Sequence, residues 1–224
     1  MKKLLLALFT LAATIGSASA QVEIGLKVSP SITSLRAEST SENNFASDGS
    51  KVSFGGGLVV DYFFGENYAF STGLLLTGKG GTIRYNEASP STLAVQQKIT
   101  MQYLELPLTV KLFTNEIAPA TRLYFQVGGS VNVPIGTRID GNKFYKDPAT
   151  GNENKASDYV YFIDADALAA IGAEYQLGKS TKVFAGIRYN RGLVDIDHYY
   201  ESNRKFKDVT IKNSGVALDL GIKF

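Results

Sequence analysis

Apolar and polar residues alternate with a period of two along most of the chain. Between Tyr103 and Leu112 the even positions are aliphatic (Leu104, Leu106, Leu108, Val110, Leu112), while the odd ones carry Tyr103, Glu105, Pro107, Thr109 and Lys111. Such a segment predicts a strand with one apolar and one polar face. The pattern repeats from Leu123 through Phe125, Val127, Val131 and Val133 to Ile135, and again at Val216, Leu218, Leu220, Ile222 and Phe224. Weaker versions cover residues 22–32, 51–64, 68–79, 159–176 and 181–193, which brings the expected strands to eight.

The connections fall into two classes. Residues 65–67 and 178–180 are short and residues 114–120 slightly longer, whereas residues 33–50, 81–97, 136–158 and 194–207 are long and polar. Short and long connections alternate in chain order. In an up-and-down sheet this trims one rim and places four loops on the other, the asymmetry of outer-membrane barrels. The expected fold is all-β: an eight-stranded antiparallel up-and-down transmembrane β-barrel over residues 21–224, with both termini at the trimmed rim.

Residues 1–20 read differently. Lys2 and Lys3 precede an apolar run from Leu4 to Ile15, and Ser17-Ala18-Ser19-Ala20 supplies the small residues of a cleavage site. This is the layout of a signal peptide cleaved before Gln21, and the run is far short of the roughly 20 apolar residues of a spanning helix. Setting Lys2 and Lys3 aside leaves 21 basic residues against 21 acidic ones, so the mature chain is neutral. The formal charge of +2 therefore belongs to the leader, and with no basic block in the loops nucleic acid is not an expected partner.

Alternation alone does not say which face points outward, because a soluble barrel would reverse it. The face opposite the aliphatics carries seven acids: Glu23, Asp61, Glu105, Asp164, Asp166, Glu174 and Asp219. Against them stand eight bases: Lys27, Lys51, Lys79, Lys111, Arg122, Lys182, Arg188 and Lys223. Near-neutrality suits an enclosed lumen in which buried charges are paired, since an unpaired one is costly. Aromatic residues near the segment ends (Tyr62, Phe63, Phe64, Tyr68, Phe113, Tyr124, Phe125, Tyr175) are candidates for interfacial girdles. Lipid is thus expected outside and charge inside.

Two segments carry a family resemblance. Tyr103-Leu104-Glu105-Leu106-Pro107-Leu108 resembles the Y-L-E-[IL]-P-L strand of PorT-like, porin-family outer-membrane β-barrel proteins, and Gly186-Ile187-Arg188-Tyr189-Asn190-Arg191-Gly192-Leu193-Val194-Asp195-Ile196 resembles their G-x-R-Y-x-x-G-L-x-D-I segment. The resemblance covers the mature chain in strand count and loop order. It implies an outer-membrane location reached through the periplasm of a Gram-negative envelope, with lipid and the barrel-assembly machinery as partners. It also implies that terminal Phe224 serves as the insertion signature, and that some relatives assist protein secretion.

Within these motifs Pro107 cannot donate to a ladder, so a local bulge or bend is expected there, with Glu105 and Lys111 aimed into the lumen. A ligand-binding Glu105 is the sharper alternative. Arg188 and Arg191, close in sequence to Asp195 and Asp197, read as a charged cluster or as ordinary ion pairs of the loop-bearing mouth.

Candidate chemistry is sparse. Cysteine is absent, and His198, the sole histidine, follows Asp195-Ile196-Asp197 with Ser202 in the same loop. An outer-membrane protease would need a larger barrel and a second pair of acids beside the Asp-His pair, and an esterase would want its His and Ser on neighbouring wall positions. Asp195 with Asp197, or Asp164 with Asp166, lacks the further oxygen ligands of a calcium site. The expectation is no enzyme activity, no cofactor and no metal. Eight strands enclose a space that side chains fill, so a wall component or a binding platform acting through four loops is favoured over a narrow solute channel or a secretion accessory. In the third loop, residues 144–152 place Phe144 and Tyr145 beside turn-rich polar residues, either packed onto the rim or offered to a protein or sugar.

Overall fold

A computed structural model of the chain describes residues 22–39, 43–86, 94–147, 151–200, 204, 206 and 208–224. The expected signal peptide (residues 1–20) and Ser202 lie outside the described residues. Ten strands follow in chain order: β1 (Val22–Ser39), β2 (Ala46–Gly65), β3 (Tyr68–Asn86), β4 (Ala94–Phe113), β5 (Thr121–Ile139), β6 (Phe144–Lys146), β7 (Glu153–Lys155), β8 (Asp164–Gln176), β9 (Lys182–Gly192) and β10 (Val209–Lys223). Eight of them form a closed barrel in the order β1-β10-β9-β8-β5-β4-β3-β2. All neighbours are antiparallel, and β1 and β10 close the ring from Gly25↔Lys223 to Ser39↔Val209. The pair β6–β7 is a small hairpin within the loop between β5 and β8.

Alternation sets the two faces of the wall. On β4, Leu106, Leu108, Val110 and Leu112 are exposed, while Tyr103, Glu105, Thr109 and Lys111 are buried inside. The exposed aliphatics of β1, β3, β9 and β10 continue this belt, among them Ile24, Leu26, Leu74, Ile187 and Leu218. Closure of the ring gives each strand two ladder neighbours, which meets most of the demand that hydrocarbon places on a backbone.

Six of the strands continue past the ends expected from sequence, and the reason is a change of phase. Toward the loop-bearing rim the inward positions become apolar: Leu35 and Ala37 on β1, Ile83 and Tyr85 on β3, Ile99 and Met101 on β4, Val209 and Ile211 on β10 are buried. The outward positions there carry Arg36, Glu38, Arg84, Gln96, Lys98 and Lys212. The period remains two, but the polarity of the two faces is exchanged where the barrel leaves the bilayer for water. Strand β5 makes the change with a bulge, since Tyr103 pairs with Pro134 and Gln102 with Gly136, leaving Ile135 as the extra residue. That irregularity stands at Gln102/Tyr103; at Pro107, where a bulge or bend was expected, the register is kept, but the β3–β4 ladder skips from Thr72↔Leu108 to Leu75↔Glu105. Pro107 stays in register opposite Ser130, and its carbonyl accepts from the Thr72 hydroxyl at 2.8 Å.

Two further expectations are corrected. Strand β8 starts at Asp164 and not at Tyr159, because Ala156–Tyr159 winds into a 3-10 turn. Of the girdle candidates, Phe64, Tyr68, Phe125 and Tyr175 are exposed, but Phe63, Phe113 and Tyr124 turn inward and pack with Phe184 at the short-turn end. Gly186 makes room for this packing: a Cβ there would lie 2.2 Å from the Tyr124 hydroxyl.

Candidate functional site

The lumen is crossed by three tiers of charge, each placed by strand register. At the short-turn end Glu23 stands opposite Asp61 across β1–β2, and Lys182 opposite Lys223 across β9–β10. Like charges in register repel, so each pair is stable only because the other faces it. Lys223 Nζ lies 2.9 Å from Asp61 and 3.0 Å from Glu23, and also donates to Glu174. Lys182 donates to Glu23, and Lys111 Nζ reaches both Asp61 oxygens at 2.9 and 3.1 Å.

Arg188 forms the middle tier. Its guanidinium bridges Glu105 (3.3 Å) and Asp219 (3.0 Å), while Lys27 and the Ser29 hydroxyl approach Asp219 at 3.1 and 2.6 Å. In the upper tier Lys79 donates to Asp166 and lies 3.6 Å from Asp164. Asn132 donates to Asp166 at 3.1 Å, and Asn213 donates to Asp164 at 2.8 Å. All seven acids of the polar face thus hold ion pairs, with Lys27, Lys79, Lys111, Lys182, Arg188 and Lys223 as their partners. Lys51 instead donates to Ser53 at 3.1 Å, and the Arg122 guanidinium sits 4.9 Å above the Phe113 ring. The cavity left beside Lys79, Asp166 and Arg188 is about 20 Å³, room for a single water. Below the lowest tier a vestibule of about 890 Å³ opens at the short-turn rim, lined by Glu23, Arg122, Glu174 and Lys182 among others.

Above the tiers the mouth is filled by an aromatic cap, which the sequence reading did not anticipate. Phe45 stacks on Tyr85 with ring centroids 4.9 Å apart, and Tyr200 meets both edge-on at 5.0 and 5.2 Å. Tyr159 stacks on Tyr199 at 3.8 Å. Polar tips find partners: Tyr200 donates to Gln97, and Tyr199 donates to Asp147 at 2.7 Å, which Arg204 also holds at 2.8 Å. Burial pushes the Tyr200 phenol well above its ordinary range, and burial together with the bond to Asp147 raises that of Tyr199. Both therefore act as neutral donors. The signal that could have revealed the cap is the adjacent pair Tyr199-Tyr200, two large aromatic bodies inside a connection read as polar.

The loop acids serve the backbone. Asp197 accepts from the amides of Tyr199 and Tyr200, both at 3.1 Å, and Asp195 accepts from Asp197 and Ile211 at 3.0 and 2.8 Å. The rim cluster of Arg188 and Arg191 with these acids does not form: Arg188 points into the lumen from β9 and Arg191 points out. His198 is exposed, with Nδ1 3.4 Å from the Asp158 carbonyl and its ring edge-on to Tyr161. Tyr145 packs against the cap, whereas Phe144 is exposed.

The sequence pattern of the outer membrane protein beta-barrel domain matches residues 16–198, most of the chain. The chain belongs to that family. Among solved structures, Neisserial surface protein A (NspA) is similar at 12% identity, with 92% of this chain and 98% of that one covered and a TM-score of 0.51. The outer membrane protein OprG from Pseudomonas aeruginosa is similar at 12% identity, 90% and 95% coverage and a TM-score of 0.51. At this identity the likeness concerns the fold. No curated protein matches the sequence. Family, closed barrel and apolar belt together place the protein in the bacterial outer membrane.

Proposed function

We propose that this outer-membrane barrel is a non-enzymatic wall component with a side-chain-filled lumen, presenting its capped loops to an envelope or extracellular protein. The carrying observation is the stack of paired charges beneath the aromatic cap, with a cavity of about 20 Å³ beside Lys79, Asp166 and Arg188. The Tyr199 phenol is engaged by Asp147 and His198 faces a backbone carbonyl, so no reaction and no cofactor are assigned. A surface role is what the name of Neisserial surface protein A states for that protein. Planar-bilayer recording from purified monomer tests the reading: baseline current is expected, and reproducible large unitary steps would restore the narrow-channel alternative.

One observation favours a second reading. The 890 Å³ vestibule faces the periplasm and is rimmed by Glu66, Glu116, Arg122 and Lys179, a surface suited to a periplasmic segment of another protein. Together with the PorT-like motifs at 103–108 and 186–196, it supports an accessory role in secretion. Crosslinking in intact cells from position 116 decides: capture of one defined envelope protein supports that role, and capture of none removes it.

A further inference from the structure

The barrel wall parts on its outer side between β2 and β3. Pairing runs from Tyr62↔Phe70 up to Gly55↔Thr77 and resumes only at Gly49↔Thr82, so residues 50–54 and 78–81 face each other without ladder pairs. Strand β2 stays with β1 throughout this stretch, and β3 stays with β4. What separates them is an inward curl of β3. Gly80 has φ 129°, and a Cβ on Gly81 would lie 2.7 Å from the Leu35 amide nitrogen, so only glycine permits the curl. The Thr33 hydroxyl closes the floor of the gap, donating to the Gly80 carbonyl at 2.9 Å and lying 3.2 Å from the Ser53 hydroxyl.

The result is a groove of about 1170 Å³ on the lipid-facing wall. Its lower part is apolar, formed by Val52, Phe54, Leu76 and Ile135, and Val52 is 80% exposed. Its upper part is basic, formed by Lys51, Arg138, Lys143 and Lys155, with no acidic residue in the lining among the described residues. Phe144 and Lys155 stand opposite each other in the β6–β7 hairpin, so the hairpin brings an aromatic ring and a cation to the same side.

Hydrocarbon does not tolerate backbone that lacks ladder partners, yet the gap lies where the outer belt gives way to polar residues. An occupant that is polar and anionic above and acyl below answers both halves. We infer that the groove is a binding site for a phosphate-bearing, multi-acyl lipid of the outer leaflet, its chains on Val52 and Phe54 and its phosphates between Lys143, Lys155 and Arg138.

The chain has no tryptophan, so Phe54→Trp provides a single reporter in the groove. The full-length F54W protein in dodecyl maltoside micelles is titrated with lipid A, with phosphatidylcholine as the neutral comparison. A saturating fluorescence change is expected with lipid A and not with phosphatidylcholine. Adding Lys143→Gln and Lys155→Gln should raise the midpoint about tenfold, with heat-modifiability on gels unchanged. Inorganic pyrophosphate alone should not reproduce the change. An equal response to both lipids, or a midpoint that the double substitution leaves in place, overturns the assignment. Should the variants fail to fold, raising the salt on F54W alone serves: a midpoint insensitive to salt counts equally against it.

Discussion

The membrane-spanning midsection and the aromatic cap close the same lumen by opposite means. The midsection holds charges that are worth little as pairs but expensive to orphan, because ion and counter-ion have both left water. The cap holds rings whose burial is favourable by itself and whose hydroxyl groups need only single partners. Damage should therefore spread differently. Removing one charge injures the partners that remain, whereas removing one ring leaves a void that nearby loops can shrink.

The largest effect is expected from Arg188→Met. Glu105 and Asp219 then lose the cation they share, and breaking such a buried set costs about 3–5 kcal/mol. Urea unfolding in detergent reads the loss, and combining it with Glu105→Gln should recover most of it, because Asp219 keeps Lys27 as its counter-ion. A double variant no more stable than the single one would show that the tier acts through shape and not charge. Tyr200→Ala comes next, at roughly 3 kcal/mol, the low end for a buried aromatic. Its signature is local: proteolysis of the loop between β9 and β10 should accelerate while the heat-modifiable band persists. Loss of that band would erase the distinction between the two regions.

The smallest effect concerns pH. The Tyr199 and Tyr200 phenols sit above their ordinary value in the folded cap, whereas in an open loop they titrate near 10. A raised pKa means that the folded cap holds its protons more tightly. Its contribution is then complete below about pH 10 and declines as pH rises beyond it. Phenolate absorbance should appear in two steps, exposed tyrosines first, with loop proteolysis rising alongside the second. A single step near 10 would mean that the cap is open.

The barrel was legible because period-two alternation and the order of short and long connections are local properties. Strands of β4 type, with Leu104, Leu106 and Leu108 set against Glu105 and Lys111, declare their faces without help from the rest of the chain. The upper parts of the strands were not legible for the same reason. Leu35, Ala37, Ile83 and Tyr85 also alternate, but on the inward phase, so they looked like the onset of polar loops. Alternation likewise assigns Arg188 to the polar face, but its bridge from Glu105 to Asp219 depends on barrel closure, which joins residues 83 and 31 positions apart. The expected pairing with Asp195 and Asp197 failed because sequence proximity at a strand end says nothing about which side of the wall a residue takes.

Lys223 makes the seam interdependent. Three carboxylates from separate strands, Glu23, Asp61 and Glu174, converge on its one ammonium group, so β1, β2 and β8 are tied to β10 by a single side chain. Loosening any one of these strands strips a counter-ion shared by the others, and the closing strand behaves as a rivet through several plates.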